Sequence, residues 1–154
     1  MKHLSKIQCA YIAGFLDGDG SLYIRLKPNK SYRFNYQIAP NIVFYQSQKE
    51  WLSLQRVKRI IGAGYMRKRN DGIAEYIIGD LATMSSLLKQ IFPFLIFKKK
   101  QAQLFLRILQ KKTKVKTKED FISLAIMIDK LEELNYSKKR CITSQVVINT
   151  LKKL

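Results

Sequence analysis

The chain has 154 residues, with 29 Lys plus Arg against 11 Asp plus Glu, a formal net charge of +18 and 47% hydrophobic residues. That length allows one domain with a real core, and the apolar fraction excludes a disordered basic tail. So large a positive excess repels itself and points to a polyanionic partner, nucleic acid before a membrane surface or an acidic protein. No window of about 18 uninterrupted apolar residues exists, so no membrane-spanning helix is expected, and "MKHLSKIQC" lacks the apolar run of a signal peptide.

Residues 6–18 predict a helix. On it Ala10, Gly14, Asp17 and Gly18 share a face, and Gly14-x-x-x-Gly18 leaves a strip bare of side chains. Such strips let two backbones approach closely. Ile12, Phe15 and Leu16 make a core stripe on the other face, so the helix is expected to be covered on both sides. Asp19 then falls at the helix C-terminus, where the dipole disfavours a carboxylate by about 0.3–1 kcal/mol. A cation answers that charge. If the same helix of a second copy packs on the bare strip, two Asp19 side chains approach each other and call for a divalent ion. Taken alone, "DGDG" is also ordinary turn chemistry.

Strict alternation follows. Leu22, Ile24 and Leu26 share one strand face; Tyr23, Arg25 and Lys27 share the other. "PNKS" is a turn, and a second run sets Phe34, Tyr36 and Ile38 against Arg33, Asn35 and Gln37. Pro40 lacks a ladder donor and marks an edge position or a bulge. Residues 49–61 predict a helix with Leu52, Val57, Ile60 and Ile61 near one face, stopped by Gly62 and Gly64. "GYMRKRNDGIAEYIIGD" is a second hairpin turning at "NDG", with Arg67 and Arg69 on one strand and Glu75 and Ile77 on the other. Four more helices are expected: "LATMSSLLKQI" ending before Pro93, "KKKQAQLFLRILQKK" followed by a basic linker, "KEDFISLAIMIDKLEELN", and a short one at the C-terminus. The order is that of one α+β domain, residues 1–154, with a sheet covered by helices on one face. Cys9 and Cys141 have no metal-ligand spacing and read as buried thiols in a reducing compartment. Lysines outnumber arginines and Ile, Asn and Tyr are frequent, a mix that suits an organellar gene.

"YIAGFLDGDG" resembles the signature of the LAGLIDADG homing endonucleases, at Ala13, Gly14, Asp17, Gly18, Asp19 and Gly20. "GAGYMRKR", "PFLIFKKKQAQLFLRIL" and "LNYSKKR" extend the resemblance to the single-motif, homodimeric type over most of the chain. The resemblance implies an αββαββα core whose saddle-shaped antiparallel sheet lies over DNA, with helices on the convex face and the motif helices at the dimer interface, at Ala10, Gly14, Asp17 and Gly18. It implies that Asp19 holds metal, assisted by the Gly18 carbonyl, and that Asp17 is the more structural acid. Gln46 matches a glutamine that organises active-site water, and Lys98 a basic residue near the scissile phosphate. The family type carries an arginine a few residues beyond that glutamine. Here the chain reads "SQKEW"; Glu50 is the gapless match, and Lys49 supplies the charge only if the loop shifts.

Phosphodiester hydrolysis needs cations on the developing charge and an activated water, not a histidine; His3 is expected at the surface. The cofactor implied is Mg²⁺, with Mn²⁺ able to substitute. A two-stranded ribbon fits the major groove, so Arg25, Lys27, Asn29, Ser31, Tyr32, Gln37 and Asn41 are expected to reach base edges from the first hairpin. Arg67, Arg69 and Glu75 do so from the second, and Ala39 and Val43 are placed to touch thymine methyls. Lys138, Lys139 and Arg140 look like the family's C-terminal phosphate-contacting loop. The function implied is site-specific hydrolysis of both strands of a long, partly palindromic duplex by a homodimer, with no membrane partner. The alternatives are an intron RNA maturase and a DNA-binding protein that has lost cleavage.

Overall fold

The structure is a computed structural model and describes residues 2–135 and 142–153. The elements are α1 (Lys6–Asp19), β1 (Gly20–Pro28), β2 (Tyr36–Ser47), α2 (Trp51–Ile61), β3 (Tyr65–Lys68), β4 (Ile73–Ile78), α3 (Leu81–Ile91), α4 (Lys99–Lys112), α5 (Lys118–Glu133) and α6 (Ser144–Leu151), with single 3₁₀ turns at Gln48–Glu50 and Phe92–Phe94. The first seven follow the expected αββαββα order. The four strands form one sheet in the order β1-β2-β4-β3. β2 pairs antiparallel with β4 from Ile42↔Ile78 to Ser47↔Ile73, and β3 with β4 at Arg67↔Glu75 and Tyr65↔Ile77.

The chain divides into two compact units: Met1–Leu22 with Asn41–Ala102, and Tyr23–Pro40 with Gln103–Leu154. In the first, α1 is started by a capping box in which Ser5 accepts the Gln8 N–H and Gln8 reaches back to Ser5, satisfying two donors that the helix leaves unpaired. Cys9, Ile12, Ala13 and Leu16 of α1 and Met84, Leu87, Leu88 and Ile91 of α3 are buried, and Phe44 stacks on Tyr76 with ring centroids 5.7 Å apart. In the second, Phe121 of α5 packs on Phe34 and Tyr36, with centroids at 5.1 and 6.3 Å. The Tyr36 hydroxyl meets Thr150 Oγ1 of α6 at 2.9 Å. No helix among the described residues is long and apolar enough to cross a membrane.

Several sequence expectations change. Phe34 and Asn35 lie in the loop, not in β2. Asn35 takes a left-handed φ of 59° there, and the loop closes through an Asn29 N–H bond to Asn35 O of 2.8 Å. Pro40 sits inside β2, upstream of Ile42 where the β4 register starts, so it costs no ladder bond to β4. Leu52 is 69% exposed, because the buried face of α2 is Leu54, Val57 and Ile61, a spacing of three and seven. Gly62 ends that helix with φ 79° as expected.

Candidate functional site

Asp19, Gln46, Lys98 and Asp17 all belong to the first unit. Asp19 is the last residue of α1, and β1 begins at the next residue without a linker. A Cβ at Gly20 would stand 2.7 Å from Leu16 O, so only glycine lets the strand leave the helix at that angle. The carboxylate of Asp19 is thereby held exposed at a helix-to-strand corner. From β2, Gln46 Nε2 donates to Asp19 Oδ2 at 3.0 Å. The side-chain alternation of β2 and the end of α1 thus converge on one oxygen.

Asp17 has a different task. Its carboxylate accepts the backbone N–H groups of Ile96 at 2.7 Å, Phe97 at 3.2 Å and Lys98 at 2.9 Å. These donors lead into α4, whose first-turn N–H groups have no partner within the helix and favour an anion. Lys98 Nζ in turn donates to the Asp17 carbonyl at 2.7 Å and is only 8% exposed. Burial pushes the Lys98 ammonium below the ordinary lysine value, and Asp17 and Asp19 pull it partly back. Asp17, expected on the interface strip, therefore spends its carboxylate inside its own chain. No sequence signal announces this, because the bonded residues are 79–81 positions apart. The expected result of Asp17→Ala is a loss of about 1–2 kcal/mol, or about 3–6 °C in melting temperature, with Asp17→Asn recovering part of it. An unchanged melting curve would deny Asp17 this role.

The donor set at the corner suits a hard cation. Asp19 offers a carboxylate, and the Gly18 carbonyl lies in the last turn of α1, at the negative end of the helix. Both are oxygen donors of the kind that magnesium and calcium take. Two donors do not fill a coordination sphere, and no group of three His, Cys, Asp or Glu able to hold a metal occurs among the described residues. Such an ion at this corner needs oxygens from elsewhere. His3 is exposed at the surface, as expected.

Beside this corner, a groove between α1 and α2 is lined by Gln46, Glu50 and Ser53 together with Tyr11 and Phe15. Glu50 faces it, accepting from Ser53 Oγ at 2.8 Å; Lys49 does not line it. Of the two residues weighed for the family's arginine, Glu50 is thus the one at the groove. The bare strip is open: Ala10, Gly14 and Gly18 are exposed, and a Cβ built at either glycine meets nothing within 4 Å. α1 is thus covered on one side by its own chain and not on both.

The polar residues of the hairpins divide in the same way as the units. In the second unit Arg25, Lys27, Asn29, Ser31 and Tyr32 are exposed and Gln37 is half-buried. Arg25 lies over the Tyr23 ring at 5.0 Å, and Asn29 Oδ1 accepts the Ser31 N–H at 3.0 Å, so Asn29 uses half its amide to build the turn. In the first unit Asn41 is half-buried, and Arg67 and Arg69 expose 57% and 42% of their side chains. Glu75 corrects its expectation. It is buried, with Arg67 Nε donating to it at 2.8 Å and Arg69 Nη1 3.5 Å away, so it holds the two arginines rather than facing outward. Val43 is buried as well: it lies opposite Ile77, and consecutive burial of Ile42, Val43 and Phe44 shields both faces of β2 there. Ala39 stays partly open. Lys138, Lys139 and Arg140 lie outside the described residues.

Comparison with known proteins gives concordant findings. The family described as LAGLIDADG endonuclease matches residues 12–106. The DNA endonuclease I-CreI of Chlamydomonas reinhardtii is 37% identical over 139 residues, 89% of this chain and 84% of that one. The DNA endonuclease I-CvuI of Chlorella vulgaris is 32% identical over 149 residues, 97% of this chain and 92% of that one. The crystal structure of I-CvuI in complex with the I-CreI target superposes with a TM-score of 0.91, at 31% identity, over 96% of this chain and 94% of that one.

Proposed function

Because the chain belongs to the LAGLIDADG endonuclease family, we propose that it is a homodimeric homing endonuclease that hydrolyses both strands of a long, partly palindromic DNA site. The observation that carries this reading is the corner at Asp19. An exposed carboxylate is oriented by Gln46, and a buried lysine stands behind it on the Asp17 carbonyl. Asp19 and the Gly18 carbonyl would hold a divalent cation, Mg²⁺ with Mn²⁺ as substitute. The second copy's Asp19 and phosphate oxygens would complete the set. When bound, the cation lowers the pKa of the attacking water and neutralises charge on the scissile phosphate. Gln46 fixes the carboxylate and orders solvent at its other amide atom. Lys98 places a positive charge by the phosphate in a position that bulk water screens poorly. The lysine-rich composition supports an organellar origin.

Base reading falls to the hairpins. On this reading Arg69, whose guanidinium pairs with Asp71 at 2.5 Å and Glu75 at 3.5 Å in the free chain, exchanges the exposed Asp71 for guanine O6 and N7 on DNA, a contact worth about 1–3 kcal/mol at one base position. Glu75 gives Arg67 and Arg69 one shared partner and so a defined posture. Glu75→Gln is therefore expected to raise affinity for all duplexes, since each copy gains one net positive charge, while relaxing discrimination at the positions under the two arginines. Titration of single-base target variants at two salt concentrations measures both. Undiminished discrimination would mean that Glu75 does not set the arginines. The test of the function itself is incubation with a randomised duplex library, with Mg²⁺ and with a chelator, followed by sequencing of the ends. Cation-dependent double-strand breaks at one recurrent sequence are expected; uncut duplex under all divalent ions would reject the proposal.

A further inference from the structure

Arg69 lies one residue past the end of β3, where the turn Asn70–Asp71–Gly72 leads into β4. β3 is four residues long and stands at the edge of the sheet, beside β4. A short edge hairpin of this kind frays first at its tip. The turn closes through an Arg69 N–H bond to Ile73 O of 2.8 Å, with Gly72 at a left-handed φ of 83°, the pattern of a three-residue hairpin loop that ends in glycine. Glu75 and Asp71 meet the Arg69 guanidinium. They grip the far end of a long side chain and leave its backbone to the turn.

A residue outside the hairpin grips that backbone. Gln48 opens the 3₁₀ turn after β2. Its N–H donates to Gly72 O at 2.9 Å, and its Nε2 donates to Arg69 O at 2.5 Å and to Ile73 O at 3.4 Å. Three carbonyls of one turn thus converge on one residue. Three positions on, Lys68 Nζ lies over the Trp51 ring at 5.0 Å, so the segment from Gln48 to Trp51 cradles the tip twice. Capping does not account for Gln48, because the 3₁₀ turn is capped by Ser47, whose Oγ accepts the Lys49 N–H. Nor does the groove between α1 and α2, which Gln48 does not line.

We propose that Gln48 is a positioning residue for base reading: its amide clamps the β3–β4 turn so that Arg69 meets its base pair from a fixed backbone. The inference rests on the reading of Arg69 as a base contact and goes further by naming what holds it. A guanidinium fork on guanine O6 and N7 is geometrically demanding. A tip that is ordered before docking keeps the affinity that a mobile one loses on being immobilised, about three- to tenfold. The clamp also ties reading to cutting. Gln46, two residues before Gln48, bonds Asp19, and β2 is paired with β4 there at Gln46↔Ala74 and Ser47↔Ile73. One strand end therefore serves the reading turn through Gln48 and the Asp19 corner through Gln46, all within the first unit.

The experiment compares the parent with Gln48→Met, which keeps the length and the backbone N–H but removes the side-chain donors, and with Gln48→Asn, which draws the amide back by one methylene. Each is made alone and with Arg69→Ala. Affinity is measured in Ca²⁺ at two salt concentrations, for the duplex recovered from the randomised library and for its single-base variants. Amide hydrogen exchange and thermal melting are followed on the protein without DNA. Discrimination at the base pair under Arg69 is expected to fall about three- to tenfold in both variants, with other positions unchanged. The salt slope stays the same, because no phosphate contact is lost. The Arg69 amide exchanges faster by a similar factor. In the Arg69→Ala background Gln48→Met adds no further loss, since the side chain it positions is gone. Equal weakening at every position, the same loss without Arg69, or unchanged exchange at the turn would overturn the clamp while leaving Arg69 as a base contact. If Arg69→Ala itself leaves discrimination intact, the base-contact reading fails and the proposal fails with it.

Discussion

Asp19→Asn removes cleavage and keeps the fold and the binding. The exchange replaces the one exposed carboxylate of the corner by a neutral group of the same shape. Its remaining oxygen still accepts from Gln46, which reaches Asp19 at 3.0 Å in the parent. Cation-dependent cutting is expected to fall by about a thousandfold or more, in line with the loss of a central electrostatic contact to a transition state. Binding of uncut duplex is expected to change little, because the proposed reading assigns it to the hairpins. Stability moves the other way. A carboxylate at a helix C-terminus opposes the dipole by about 0.3–1 kcal/mol, so the variant melts at the same temperature or slightly higher. This sets Asp19 apart from Asp17, two residues earlier, whose loss lowers stability. Cleavage by gel assay, duplex affinity in Ca²⁺ and a melting curve decide the matter together. Cutting near the parent rate would remove Asp19 from the metal site.

Gly14→Leu separates the dimer without unfolding the chain. A glycine inside a helix costs about 1 kcal/mol relative to alanine, and α1 carries Gly14 and Gly18 on one face. Within the chain nothing is gained in return, since a side chain at either position would enter open space. On the homodimer reading proposed above, the close approach of a second helix explains the cost. Leucine therefore strengthens α1 in the isolated chain by several tenths of a kcal/mol or more while holding the second backbone away. Expected results are a monomer by sedimentation, an undiminished helical signal, and no double-strand cleavage at concentrations where the parent cuts fully. A Gly14→Leu dimer as tight as the parent would place the interface elsewhere.

Much of the fold was legible in the residues alone. The period of two in Leu22, Ile24 and Leu26, the "NDG" turn and the apolar spacings of α3–α5 report forces that act over a few residues. All of these elements appear where the pattern puts them. Gln46 and Lys98 were legible only through the family motif, whereas Asp19 also stood out as a carboxylate at the end of a bare-faced helix; structure then brought the three into one unit. The errors share one cause. Alternation tells which residues share a strand face but not what covers that face, so Val43 and Glu75 were expected outward and are buried. Helical spacing admitted Leu52 to a stripe that packing assigns to Leu54, Val57 and Ile61.

By itself the sequence determined the element order, the basic partner-seeking charge and the carboxylate at the end of a bare-faced helix, because each depends on neighbours along the chain. Only the tertiary structure decided that Asp17 ties down the turn before α4, that Lys98 is buried against it, and that Glu75 unites two arginines. It also decided that Glu50 and not Lys49 lines the groove. The physical reason is range: a hydrogen bond or an ion pair between residues far apart in sequence leaves no period or spacing to read, and comes into being only when the core has set the distance between them.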